Sequence, residues 1–172
     1  MDKLVLPRIF IGIGEGDYNL DVDRNLLILE EDKAYIKKPF KQIYLSSKSI
    51  GNVYVEEIYD DAYKYFLDIE QSAICRNVCT VIGVKALFLN AGDHVVLREF
   101  IGKNIVPMVS VGEKVEKSTR LVAIFTGKRE VRYGLSQTNG VVFYFTQIEY
   151  KPQKYLFVIS QNVVVRKVVG CE

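Results

Sequence analysis

Short apolar runs follow one another along almost the whole chain. In the first half they are IFIGI, NLLILE, KAYIKK, QIYLS and NVYVEEIY, rich in Ile, Val, Leu and Tyr and separated by Gly, Asn, Asp or Ser. Branched and aromatic side chains fill a pleated surface well, and the separating residues are those that turns require. Each run predicts a strand. One segment departs from the rhythm. In DDAYKYFLDIEQSAI, Ala62, Phe66, Ile69 and Ala73 recur at helical spacing behind Asp60 and Asp61. Apolar residues three and four apart share a helix face, and acids suit the positive end of the helix dipole. The spacing predicts a helix over 60–75.

Strand patterns resume after Cys79 with TVIGVKALFL, HVVLREF, NIVPMV, RLVAIF, EVRYGL, GVVFYF, YLFVIS and NVVVRKVV. One strand about every 8–12 residues, with turn chemistry between, argues for a closed or sandwiched antiparallel architecture. The expected fold is mainly β, divided into an N-terminal β-rich region with one helix (1–83) and a β-barrel (84–172). No Pro- or Ser-rich linker marks the boundary.

Composition narrows the class. The chain has 172 residues, 49% hydrophobic and 26% charged, with 11 Tyr, 9 Phe and no Trp. That is enough apolar surface to offset chain entropy and to exclude a disordered chain. A net charge of +2 gives no electrostatic footprint for nucleic acid. The densest basic stretch, KKPFKQIYLSSK at 37–48, reads as a solvated strand pair. The apolar N-terminus is short and interrupted by Pro7 and Arg8, and no later segment approaches a membrane span. Cytoplasmic residence without membrane attachment is therefore expected. Cys75, Cys79 and Cys171 fit this location and show no zinc or redox spacing. Cys75 and Cys79, four apart, would share one face of a helix and are expected to act as small buried hydrophobes.

A faint repeat is present. AGDHV at 91–95 and VGEKV at 111–115 share a small or apolar residue, Gly, an acid, any residue, and Val. Gly followed by an acid is turn chemistry, with Val starting the next strand. Around the second copy, NIVPMVSVGEKVEKSTRLVAIFTGK followed by NGVV resembles the barrel-sandwich hybrid fold of biotinyl and lipoyl carrier domains. Gly112, Glu113, Val115, Leu121, Ile124, Lys128 and Gly140 fall in that family's order. The chain as a whole looks like an uncharacterised archaeal family, domain of unknown function 2118, which implies a hybrid-barrel core and brings no established activity.

In such carriers a hairpin lysine receives biotin or lipoate, and Lys128 of FTGKRE takes that place. Gly127 suits the first central position of a two-residue type II′ turn, with Lys128 second and exposed. Two features depart from the carrier pattern. Biotin acceptors sit between methionines and lipoyl acceptors usually follow Asp, whereas Lys128 lies between Gly127 and Arg129. The second Gly-acid-x-Val turn, expected after GVV, is replaced by FYFTQIEYKPQKYLFVI. The upstream AGDHV could supply the missing half.

Other motifs carry less. GIGEGD at 12–17 lacks the helix that a dinucleotide fingerprint opens. DVDRNLLILEED at 21–32 begins like a calcium loop but has Leu26 where the sharp turn demands Gly. His94 is the sole histidine, beside Asp93 at a turn, and Asp93, His94 and Glu99 form a possible polar cluster. No nucleophile is paired with a base, and no metal site is expected. The reading is a non-catalytic binding or assembly module for a protein partner or small ligand, needing no cofactor. The alternative is a carrier with biotin or lipoate on Lys128.

Overall fold

In the computed structural model, residues 6–13, 24–38 and 52–171 are described. The strand QIYLS, the basic stretch beyond Lys38, and Gly14, Gly16, Asp21 and Asp23 of the two rejected motifs lie outside them. The chain divides into two units, 1–68 with 73–93 and 164–172, and 69–72 with 94–163.

The first unit opens with β1 (Arg8–Gly12), β2 (Leu26–Glu30), β3 (Lys33–Lys37) and β4 (Val53–Glu57). A 3-10 turn (Tyr59–Asp61) and α1 (Tyr63–Phe66) precede a small hairpin, β5 (Leu67–Asp68) and β6 (Ala73–Ile74). Then come β7 (Val78–Ile82) and β8 (Lys85–Leu89). The second unit contains β9 (Val96–Gly102), β10 (Asn104–Pro107), β11 (Lys114–Val115), β12 (Arg120–Phe125), β13 (Val131–Leu135), β14 (Gly140–Tyr150) and β15 (Gln153–Ser160). The last strand, β16 (Val164–Cys171), returns to the first unit.

The first unit is a closed barrel in the order β1-β4-β2-β3-β16-β8-β7. β16 is its keystone. It pairs antiparallel with β8 and parallel with β3, placing Val168 beside Ala34. The alternation read from the sequence sends Phe10, Leu27, Ala34, Ile36, Tyr54, Cys79, Val81, Ala86 and Phe88 into one core. The Tyr54 and Phe88 rings meet edge-on at 5.6 Å.

In the second unit, a three-stranded sheet (β10-β12-β13) and a four-stranded sheet (β11-β14-β15-β9) share a core. Phe100, Ile105, Leu121, Val122, Val142 and Phe157 are among its members. A bulge between Arg120 and Val122 lets the consecutive Leu121 and Val122 both turn inward.

Three expectations are corrected. The closed barrel belongs to the first unit rather than to 84–172, because β16 closes it by pairing with a strand from the start of the chain. The break falls between Asp93 and His94 rather than at 83/84. The helix over 60–75 shrinks to the four residues of α1. Ala62 and Phe66 are fully buried as the spacing required, but Leu67 is already extended and pairs with Ile74. Ser72 takes the left-handed conformation that the tight connection needs. A hairpin that buries Leu67 and Ile74 takes the place of the helix and leaves Ile69 half-exposed. Cys75, placed in the lost helix, is exposed, whereas Cys79 is buried in β7.

The repeat is a pair of conformational twins. Gly92 and Gly112 have φ of 94° and 91°. The following acids donate their amides three residues back, Asp93 to Asn90 O and Glu113 to Ser110 O. Glycine reaches this left-handed region without a Cβ clash. Val95 and Val115 then enter the core at 6% and 3% exposure.

Candidate functional site

Lys128 is exposed in the connection from β12 to β13, but the turn is not of type II′. That turn needs a positive φ at Gly127, and the left-handed residue is Arg129 instead (φ 63°). The hairpin closes by Thr126 N–H donating to Glu130 O at 3.0 Å. This is a three-residue loop, Gly127-Lys128-Arg129, ending in a left-handed residue, a form that suits the twist of its strands. Lys128 stands at its centre.

Asp93, His94 and Glu99 have separate surroundings. Asp93 Oδ2 accepts from Asn90 N–H at 2.7 Å and so braces its own turn. His94 is exposed, and its carbonyl accepts from Ser160 Oγ. Glu99 pairs with Lys154 at 3.4 Å on the neighbouring strand. Among the described residues, no three His, Cys, Asp or Glu side chains stand together as a metal would require.

A shallow open groove of about 690 Å³ lies beside the Gly112 turn. Its walls include Lys114, Glu116, Lys117, Ser118, Asn139 and Gln161. The polar groups already serve the fold. Asn139 Oδ1 accepts from Lys117 N–H, Asn139 O accepts from Gln161 Nε2, and Thr119 Oγ1 accepts from Glu116 N–H. These bonds stiffen the turn and leave two amines beside one carboxylate. That lining offers no matched nucleophile and base.

The barrel interior has its own chemistry. Burial pushes the Tyr54 hydroxyl up to about 12, helped by nearby Cys79. Burial likewise raises the Cys79 thiol well above its ordinary value. Both groups are thereby held neutral, and Cys79 is a poor nucleophile.

The outer face of the three-stranded sheet is different in kind. Register sets Asn104, Phe125 and Val131 in one row, Val106, Ala123 and Tyr133 in the next, and Arg120 beside Leu135. Val106, Met108, Phe125, Val131, Tyr133 and Leu135 are 37–47% exposed. The Arg120 guanidinium lies 3.8 Å from the Tyr133 ring centroid, pinning that ring to the face. The inner positions of β13 explain the inversion. Gly134 lies against Phe100 and leaves no room for a side chain, so the large residues of VRYGL point outward.

The two edges of this sheet also differ. At β10, Ile105 N–H donates to Gln153 Oε1, which covers that edge. β13 pairs only with β12 among the described strands. Bonded pairs alternate along the hairpin from Thr126/Glu130, so Arg132 and Gly134 bond to β12. The amides and carbonyls of Val131, Tyr133 and Leu135 point to the open side. Arg98 donates to Leu135 O at 3.3 and 3.2 Å, which removes one acceptor from that edge.

An apolar face with an open strand edge is a place where proteins join. Sequence reasoning read EVRYGL as a strand and missed the face. The signal was present in Val131, Tyr133 and Leu135 alternating with Arg132 and Gly134, but alternation does not say which side is inside.

Residues 4–162 match a family described as uncharacterized proteins conserved in archaea (DUF2118). The chain belongs to that family. No curated protein matches the sequence. Membership covers both units apart from the last strand of the barrel and the ends of the chain. No helix among the described residues is long and apolar enough to cross a membrane.

Proposed function

We propose that this DUF2118 member is a non-catalytic binding or assembly module whose working surface is the outer face of the β10-β12-β13 sheet. The observation that carries the reading is the patch of Val106, Phe125, Val131 and Tyr133 in two neighbouring rows, all large, apolar and exposed on one face. Burying such side chains against a partner removes apolar area from water, the main drive for association. The second unit supports a biotinyl/lipoyl-like shell. It has two sheets around one core, the Gly112 turn, and a hairpin presenting Lys128. On this reading the shell serves as a rigid platform in the cytoplasm.

A photo-crosslinking amino acid at Phe125, in protein produced in its native cells, tests this. Adducts are expected from position 125 and not from Lys117 in the groove. Equal or absent capture at position 125 would remove the reading.

A carrier role for Lys128 is the second reading, favoured by its exposure at the centre of a three-residue loop. Biotin or lipoate there would add to the intact mass of protein from its native source. A mass equal to that of the sequence removes it.

A further inference from the structure

We infer that the occupant of the β13 edge is a second copy of this chain, joined edge to edge in an antiparallel pairing about a two-fold axis at Arg132. This names the partner for the face proposed above and rests on that reading.

The register follows from what is free among the described residues. With Leu135 O engaged by Arg98, the complete outward donor–acceptor sets on β13 are those of Val131 and Tyr133. An antiparallel copy satisfies both sets when Val131 lies opposite the partner's Tyr133 and Tyr133 opposite the partner's Val131. Each such pair exchanges two backbone bonds, and both are aromatic–branched pairs on the apolar face. A shift of the axis to Tyr133 would pair Val131 with the partner's Leu135, whose carbonyl is taken.

In this register two opposite-charge diagonals offset one like-charge pair. Glu130 and Arg132 share the opposite face, 3.9 Å apart and largely exposed at 62% and 75%. Across the axis the two arginines stand opposite each other, and each is diagonal to the partner's Glu130. Diagonal neighbours lie about 7–8 Å apart, within reach of long side chains. The arrangement is self-complementary, as an isologous interface requires. β13 contains no Pro, and Arg132 is its one charged residue.

The test is sedimentation of the full chain from about 1 to about 100 µM, the range in which a small interface assembles. A concentration-dependent dimer is expected. Arg132→Glu places four carboxylates around the axis and should weaken it about tenfold or more. The swap Glu130→Arg with Arg132→Glu restores opposite diagonal charges and should recover the wild-type dissociation constant. Both positions are exposed, and unchanged melting of each variant shows that the fold is intact. A chain that stays monomeric, or a dimer indifferent to Arg132→Glu, overturns the inference. If the chain is monomeric but position 125 captures a different protein, the second copy is wrong and the docking face stands. If position 125 captures nothing, the face itself is wrong.

Discussion

Gly134→Ala puts one methyl group where the second unit has no space. A Cβ at this position would lie 2.4 and 2.5 Å from two ring carbons of Phe100 and 2.7 Å from Val122 Cγ2. Carbon atoms rest about 3.5–4.0 Å apart, so the ring would have to retreat by about 1 Å. Its surroundings resist. Phe100 is 8% exposed, meets Phe157 edge-on at 5.8 Å, and has the Arg98 guanidinium 5.2 Å from its centroid. Overpacking of this kind costs about 1–3 kcal/mol. Replacing Gly by Ala in a strand returns roughly 0.5–1 kcal/mol of backbone entropy. A net loss of about 1–2 kcal/mol is expected, or a fall of about 2–8 °C in Tm for a chain of this size. Thermal and urea melting of wild type and variant measure it. Shrinking the obstacle with Phe100→Leu should make the double variant less destabilised than the sum of the singles, by about 0.5 kcal/mol or more. A Tm for Gly134→Ala within about 1 °C of wild type would refute the packing argument, since that is the noise of a neutral surface change.

Four further outcomes are expected. Gly127→Ala should leave Tm unchanged, because Gly127 does not use positive φ and its Cβ would meet only Lys103 Nζ at 3.7 Å; a loss would reinstate the type II′ turn. Arg129→Gly should gain up to about 1 kcal/mol by relieving a left-handed non-glycine residue, read by urea melting. Burial alone would raise the Glu56 carboxyl, but hydrogen bonds from Arg8 and Asn25 and the Arg8 charge together hold it below its ordinary 4.5. Its stabilising contribution is therefore complete above pH 4.5 and lost as pH falls through the lower folded value. Glu56→Gln should flatten that acid limb, and an unchanged limb in pH-dependent melting would count against the pairing. Iodoacetamide on native protein should label exposed Cys75 and spare Cys79 until the barrel unfolds; peptide mass mapping with early Cys79 labelling would contradict its burial.

The apolar patterning of this chain determined most of its strands, because alternation depends only on neighbours two residues apart. It also determined the twin turns at Gly92 and Gly112, where Gly and the following acid act locally. What it could not determine was pairing between distant strands. No local rule joins Val168 to Ala34, yet that pairing closes the barrel of the first unit and moves the boundary to Asp93/His94. The helix over 60–75 failed for a related reason. Its spacing was sound at Ala62 and Phe66, but four residues of helix hold little on their own, and the pairing of Leu67 with Ile74 overrode the rest. At the sheet face, Val131, Tyr133 and Leu135 had the right period, and only Phe100 packed against Gly134 decided that they face outward. Period is a property of the chain, whereas inside and outside are settled by what packs against it.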